Sequence, residues 1–123
     1  MGIHKKGDTL LETMDQSAEL RRKQAESIVR RYAGEKTPRL IVGDMNEGPE
    51  DAALSTLEKA GFAHSCRRST ECGATFPGAT SFMPAVFEID HILGRGVTFR
   101  SGRVIRDGGS DHFPVFAEFI IKG

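Results

Sequence analysis

The chain has 123 residues, of which 28% are charged and 38% hydrophobic, and its 17 Lys and Arg balance its 17 Asp and Glu. This length is ordinary for one domain and short for two, and the composition excludes a disordered or membrane-embedded chain. The zero formal net charge argues against charge-driven coating of nucleic acid. A small phosphate site stays possible, because it needs only a few local charges.

Nothing in the sequence points to export. No apolar run approaches the roughly 20 residues that cross a bilayer, and the N-terminal MGIHKKGD lacks the apolar segment of a signal peptide. We therefore expect a cytoplasmic protein with no membrane partner. Cys66 and Cys72 could close a disulfide across a short loop, but two reduced thiols are the expected state in this compartment.

The first part of the chain is predicted to form a helix, a strand and a second helix. Apolar residues recur at three- and four-residue steps from residue 9 to 32, with Asp8 as the expected N-cap and Gly34 as the stop. The segment RLIV is predicted to form a strand, and its last three residues are all apolar, which is typical of a strand buried on both faces. A loop then leads to a helix over residues 50 to 60, closed by Gly61.

The last third is predicted to form strands. The segments VFEIDHIL, GVTFRSGRVI and PVFAEFII are separated by Gly-rich turns. This order of elements predicts a layered α/β fold, and no repeat or linker divides the chain, so we expect residues 1–123 to form a single domain. Arginines could form a basic strip here, although arginines are also common on solvated strand edges. They are Arg95, Arg100, Arg103 and Arg106.

Short polar residues stand where three predicted strands end or begin. They are Asp44 with Asn46, Asp90 with His91, and Asp111 with His112. Ligand crevices in α/β proteins lie at such sheet rims, so we expect these side chains to meet. Carboxylates, a carboxamide and an imidazole together suit a hard divalent cation such as Mg²⁺, and an Asp beside an imidazole fixes its tautomer and raises its basicity.

Each of these motifs also has a plainer explanation. An Asp after a strand is often a turn or cap residue, and SDH before a strand can be only a turn. Strand alternation puts His91 on the face opposite Asp90, where a half-buried residue without chemistry is expected. The joint occurrence of three motifs is what favours a site.

In their order, the motifs resemble those of the endonuclease/exonuclease/phosphatase superfamily, which includes DNase I-like nucleases and inositol polyphosphate phosphatases. The matching segments are Gly43-Asp44-Met45-Asn46, Ile89-Asp90-His91-Ile92 and Ser110-Asp111-His112-Phe113-Pro114-Val115. ELRRKQAESI, with Arg21 and Gln24, and TFPG, from Thr75 to Gly78, also look like segments of the family. The resemblance covers nearly the whole chain.

This resemblance implies a metal-dependent phosphoester hydrolase that uses Mg²⁺ or Mn²⁺. Asp44 would contact the metal and handle a proton of the attacking water or leaving group, and Asn46 would orient that water or a phosphate oxygen. Asp111 would be a metal ligand. His112, held by Asp90, would contact the scissile phosphate or act as the base.

The resemblance covers only the C-terminal half of such a domain. A full domain is a four-layer α/β sandwich of two similar halves, and its first half supplies a Glu that is the principal metal ligand. No matching Glu motif is present in this sequence. His4 looks like the family's earlier phosphate-binding histidine. The expected fold is therefore one half of a DNase I-like sandwich, a mixed sheet with helices on one face.

The inner face of that half-sheet would be left uncovered. We expect it to include Ile41, Phe87, Ile92, Val115 and Phe119. Such a face favours a homodimer, in which a second copy replaces the absent half, or a requirement for the N-terminal half itself. A non-catalytic binding or structural module that self-associates through this face is the alternative to an enzyme. The substrate, a nucleic acid or a small phosphate ester, is undecided.

Overall fold

The structure, a computed structural model, describes residues 10–122. Its helices and strands are α1 (Leu10–Arg31), β1 (Arg39–Asp44), α2 (Ala52–Lys59), β2 (Ala63–His64), β3 (Asp90–Arg95), β4 (Val97–Val104) and β5 (Val115–Ile121). The predicted N-cap Asp8 and the candidate site residue His4 lie outside the described residues. None of the described helices is long and apolar enough to cross a membrane.

The two helices pack against each other and against one side of a sheet. Ala25 of α1 and Ala53 of α2 are both buried, and such small side chains let two helices approach closely. The rest of the buried cluster consists of Leu54, Leu57, Phe62 and Leu93. Removing these side chains from water is the main stabilising term for this part of the chain.

The first turn of α2 is capped from outside the helix. Asp51 stands at its N-cap position but makes no side-chain cap, because its Oδ2 accepts the N–H of Gly48 at 2.8 Å. Glu47 Oε1 instead accepts the N–H of Ala53 at 2.9 Å. One of the unpaired N–H groups at the start of α2 is thereby satisfied by a residue that precedes the helix.

The strands form two antiparallel sheets, with orders β1-β3-β2 and β4-β5. The α/β fold class is confirmed, but the strand pairs within the described residues are antiparallel and do not make a mixed sheet. β2 was not predicted. β3 starts at Asp90, later than the predicted strand VFEIDHIL. Phe87, which precedes it, makes only an isolated bridge with Phe76.

The two faces of β1 differ from the prediction. Ile41 packs against the helical core, so its assignment to the uncovered face was wrong. Its neighbours Leu40 and Val42 lie on the other side and are 43% and 63% exposed. We call this side of the molecule the open sheet face. It comprises Leu40, Val42, Ile92, Val115 and Phe119.

The two cysteines are paired. Cys66 and Cys72 form a disulfide between residues six apart in the sequence. The expectation of two reduced thiols was therefore wrong for this structure. The bridge closes the loop that follows β2.

Candidate functional site

Asp44 and Asp90 face each other across two neighbouring strands. Asp44 is the last residue of β1, Asp90 is the first of β3, and the antiparallel register pairs them directly. His112 joins them from the loop before β5. Its Nδ1 lies 2.7 Å from Asp90 Oδ2 and its Nε2 lies 3.8 Å from Asp44 Oδ2. One ligand atom from each of the three residues lies within 4.8 Å of the others.

The turn after β1 fixes the orientation of Asp44. The N–H of Asn46 donates to Asp44 Oδ1 at 3.0 Å, which leaves Oδ2 as the oxygen that faces His112. Asn46 has a φ of 52°, a left-handed conformation that asparagine adopts more readily than most residues. The N–H of Met45 donates to the carbonyl of Ile89 at 2.8 Å. The turn is thus tied to the residue that precedes Asp90.

Asp111 lies close enough to His112 for its charge to raise the pKa of the imidazole. It is exposed and lies outside the cluster of Asp44, Asp90 and His112. The hydroxyl of Ser110 donates to Asp111 Oδ1 at 3.3 Å. Asp90, which the sequence suggested as a support for His112, is the residue that His112 contacts through Nδ1.

The acids around His112 stabilise its charged form. The Asp90 carboxylate accepts the Nδ1–H, and this hydrogen bond is the main reason that the pKa of His112 is raised above its ordinary value. The negative charges of Asp90, Asp44 and Asp111 act in the same direction, whereas partial burial opposes them. At neutral pH the imidazolium form is therefore favoured relative to a free histidine.

The segment TFPG, from Thr75 to Gly78, holds Asp90 and His112 in place. Thr75 is fully buried, and its hydroxyl oxygen accepts the N–H groups of Ile89 and Asp90, each at 3.3 Å. Its carbonyl accepts the N–H of Phe113 at 2.8 Å. Thr75 thus ties the start of β3 to the loop that carries His112.

Phe76 and Gly78 make two further contacts with the loop that carries His112. The Phe76 ring lies 4.8 Å from the ring of His112, centroid to centroid. The N–H of Gly78 donates to the carbonyl of Asp111 at 2.6 Å, and a Cβ at Gly78 would lie 2.7 Å from the carbonyl carbon of His112. Only a glycine permits this close approach. The sequence pointed to these residues through the family resemblance alone.

The site opens onto a cavity of about 540 Å³. Asp90 and His112 line one part of it, and Val42, Ile92 and Val115 of the open sheet face line another. The polar cluster and the uncovered apolar surface are therefore continuous. A substrate or partner at one would border the other.

Two of the four arginines that could form a basic strip make contacts within the chain. Arg95 donates to the carbonyl of Tyr32 at 2.7 Å and lies over the ring of Phe62, and Arg103 lies over the ring of Phe116. These intramolecular contacts favour the structural interpretation of both residues.

The chain is similar to known proteins in sequence and in fold. The sequence model of the Endonuclease/Exonuclease/phosphatase family matches residues 10–112. No curated protein matches the chain significantly in sequence.

Solved structures with a similar fold include a functionally unknown conserved protein from Enterococcus faecalis V583, at 26% identity and a TM-score of 0.73, over 85% of this chain and 46% of that one. An endonuclease/exonuclease/phosphatase from Bacteroides vulgatus is 22% identical with a TM-score of 0.73, over 85% of this chain and 45% of its own. A mannosyl-6-phosphatase of Bacteroides thetaiotaomicron VPI-5482 is 20% identical with a TM-score of 0.62, over 85% and 46% of the two chains.

The chain thus spans less than half the length of these solved structures. The family match covers far more than half of this chain, from α1 to the histidine of the candidate site. Together with the α/β fold, it shows that the chain belongs to the endonuclease/exonuclease/phosphatase family.

Proposed function

We propose that the chain carries the C-terminal part of the active site of a metal-dependent phosphoester hydrolase, acting as a phosphodiesterase, a nuclease or a phosphatase. The observation that supports this most is the contact of one imidazole with two carboxylates. His112 is hydrogen-bonded to Asp90 and faces Asp44 at the mouth of an open cavity. Turn residues without chemistry would not need to converge in this way.

The protonation of His112 follows from its partner. Because a carboxylate accepts hydrogen bonds, Nδ1 carries a proton and the reacting nitrogen is Nε2. In the charged form, Nε2–H can donate to a phosphate oxygen or a leaving group. In the neutral form, it can take a proton from water. In the metal-free protein the raised pKa of His112 favours the first role near neutral pH.

A divalent cation fits the two carboxylates. Asp44 and Asp90 offer oxygens within 4.8 Å of each other, the ligand type that Mg²⁺ and Mn²⁺ prefer. When bound, the ion would neutralise charge on the phosphate of the substrate. Asn46 is exposed beside Asp44, where its carboxamide can orient a water or a phosphate oxygen. The role of His4 in phosphate binding stays a prediction, as does that of Asp111 as a metal ligand.

A phosphodiesterase assay tests the proposal. With bis(p-nitrophenyl) phosphate and Mn²⁺ or Mg²⁺, we expect His112→Ala and Asp90→Ala each to reduce hydrolysis by roughly 10²- to 10⁴-fold. Asp107→Ala is the matched control, because Asp107 is an exposed acid that also precedes β5 but lies outside the cluster. Equal activity in all variants would show that the hydrolysis arises elsewhere.

A wild-type chain that shows no hydrolysis under any of these conditions would favour the alternative of a non-catalytic binding or structural module. The observation that gives this alternative its weight is the length of the match, less than half of each solved relative. The same assay therefore separates the two functions.

We further propose that a second copy of the chain covers the open sheet face. Leu40 and Val42 are exposed on it, and large apolar patches mark interaction sites on soluble proteins. Sedimentation should show a dimer that Val42→Asp weakens. Val86→Asp is the control, since Val86 is 62% exposed, close to the 63% of Val42, but lies outside the strands. A stable wild-type monomer at micromolar concentration would contradict the proposal.

A further inference from the structure

Two buried histidines contact each other on the opposite side of β3 from Asp90. His64 is 6% exposed and His91 is 1% exposed, and His64 Nε2 lies 2.8 Å from His91 Nδ1. At the outer ends of this pair, the backbone N–H of Cys66 donates to His64 Nδ1 at 3.0 Å, and His91 Nε2 lies 2.6 Å from the carbonyl of Glu47. Both nitrogens of both rings therefore have partners.

The two ends of this chain of contacts fix where its protons are. A backbone N–H can only donate, so His64 Nδ1 is unprotonated and its proton is on Nε2. That proton is donated to His91 Nδ1. A carbonyl can only accept, so His91 carries its own proton on Nε2 and donates it to Glu47. Both rings are neutral, and all three hydrogen bonds run in one direction from Cys66 to Glu47.

This arrangement argues against a metal ion at the same place. Ligand atoms of His64, Glu88 and His91 lie within 4.8 Å of one another, as a small metal site would require. However, a metal on His64 Nε2 would need the ring to lose the only proton it has, because Nδ1 already accepts from a backbone N–H. The contacts of the pair are complete without an ion.

The series of hydrogen bonds ends at Glu47, which is bonded to three other residues. The Glu47 carbonyl accepts from His91. Its buried carboxylate accepts the N–H of Ala53 at 2.9 Å and the Nε–H of Arg21 at 3.0 Å. Glu47 therefore joins β3 to both helices. Burial of this carboxylate is tolerated because its charge is paired and hydrogen-bonded.

Glu47 also follows directly on the turn that carries Asp44 and Asn46. That turn is tied to the segment around the start of β3 at two points, Met45 to Ile89 and Glu47 to His91. Ile89 and His91 are the residues on either side of Asp90. Beyond the strand pairing that sets Asp44 opposite Asp90, the turn is therefore held in place by one backbone contact and by the histidine pair.

We infer that His64, His91 and Glu47 form a positioning relay that fixes the Asp44–Asn46 turn against Asp90. His91 also borders the cavity, but the side chains of all three relay residues are buried, so they act through the residues of the candidate site and not on a substrate. The inference deepens the proposed function and rests on it only where it concerns turnover. The geometry itself can be measured without any activity.

NMR of the wild-type protein tests the direction of the relay. Long-range ¹H–¹⁵N spectra of the imidazoles at neutral pH should show both His64 and His91 as neutral Nε2–H tautomers. A protonated Nδ1 on either ring would overturn the inference. A change in the ¹⁵N chemical shifts of these nitrogens on addition of Zn²⁺, of the kind that metal coordination causes, would also overturn it.

Variants of His91 test its effect on the site. In His91→Phe, which keeps an aromatic ring but removes both hydrogen bonds, hydrogen exchange at the Met45 amide should accelerate by about tenfold or more relative to the β4–β5 amides. His91→Gln keeps a donor for the Glu47 carbonyl and should restore part of the protection. Leu93→Ala is the control, because it removes a fully buried β3 side chain outside the relay.

The expected difference lies in the pattern of exchange. Leu93→Ala should accelerate exchange broadly through lost stability, whereas His91→Phe should act most strongly on the turn that contains Met45. If the two variants show the same pattern of hydrogen exchange, the relay contributes only general stability, as any core residue does, and the inference is overturned. If the wild type hydrolyses phosphodiesters, His91→Phe should also lower kcat more than it raises KM. If the wild type shows no hydrolysis, the hydrogen-exchange result still tests the inference.

Discussion

His112 donates its Nδ1–H to Oδ2 of Asp90 across 2.7 Å, although 22 residues separate the two in the sequence. In the metal-free protein this contact should raise the pKa of His112 above 6.5, its ordinary value. A ¹H–¹³C titration of the imidazole measures it. Asp90→Asn should bring the pKa down towards 6.5, because it removes both the negative charge and the strongest acceptor.

The same pair should make stability depend on pH in a defined direction. A pKa raised on folding means that the stabilisation is complete below 6.5, the unfolded value, and is lost as pH rises through the folded value. The free energy of unfolding should therefore differ more between wild type and Asp90→Asn at about pH 6 than at about pH 9. A difference that grows with pH would contradict the assignment.

His64 should have the opposite pH dependence. Burial is the main cause that lowers its pKa to about 4, and the nearby His91 adds to it. Between this value and 6.5 the unfolded chain binds the extra proton, so stability should fall by about 3 kcal/mol as pH decreases through that window. Urea unfolding across this pH range measures the slope, which should become smaller in His64→Gln.

Gly78→Ala should disturb the loop that carries His112. The new Cβ would lie 2.7 Å from the backbone of Ser110 and His112, so the loop must move at a cost of about 1–3 kcal/mol. We expect a lower melting temperature and a changed His112 imidazole shift. Gly109→Ala is the control, because a Cβ there meets nothing within 4 Å. Similar effects of both substitutions would contradict the tight contact at Gly78.

Thr75→Val should destabilise the protein although it keeps the side-chain shape. Without the hydroxyl, the N–H groups of Ile89 and Asp90 lose the oxygen to which they donate, at a cost of about 2 kcal/mol. Thr75→Ser keeps the acceptor and should recover most of that loss. Urea unfolding compares the three proteins. A valine variant as stable as the wild type would show that these two hydrogen bonds contribute little.

Local patterns were sufficient to predict most of the elements. The three- and four-residue spacing of apolar side chains predicted α1, which ends at Arg31, and the turn chemistry around Gly61 predicted the end of α2. The family and the fold class inferred from the three ordered motifs are confirmed. The roles of the individual site residues stay predictions.

Where the local sequence pattern was uniform or too short, it could not predict which residues face the core or which strands pair. Leu40, Ile41 and Val42 are apolar at consecutive positions, so the sequence does not show which of them face the core. The prediction therefore placed Ile41 on the wrong face. The two-residue strand β2 was too short to give any periodic signal. Asp90 and Asp111 each precede a histidine in the sequence, and only the antiparallel register showed that Asp90 lies opposite Asp44.

The sequence by itself determined the kinds of element, the family and the residue types available for phosphate chemistry, because these depend on neighbours along the chain. The tertiary structure decided which of those residues meet. It brought His64 to His91 across 27 positions and His91 to Glu47 across 44. Such contacts depend on strand register and on the burial of polar groups that must find partners, and neither leaves a pattern in the local sequence.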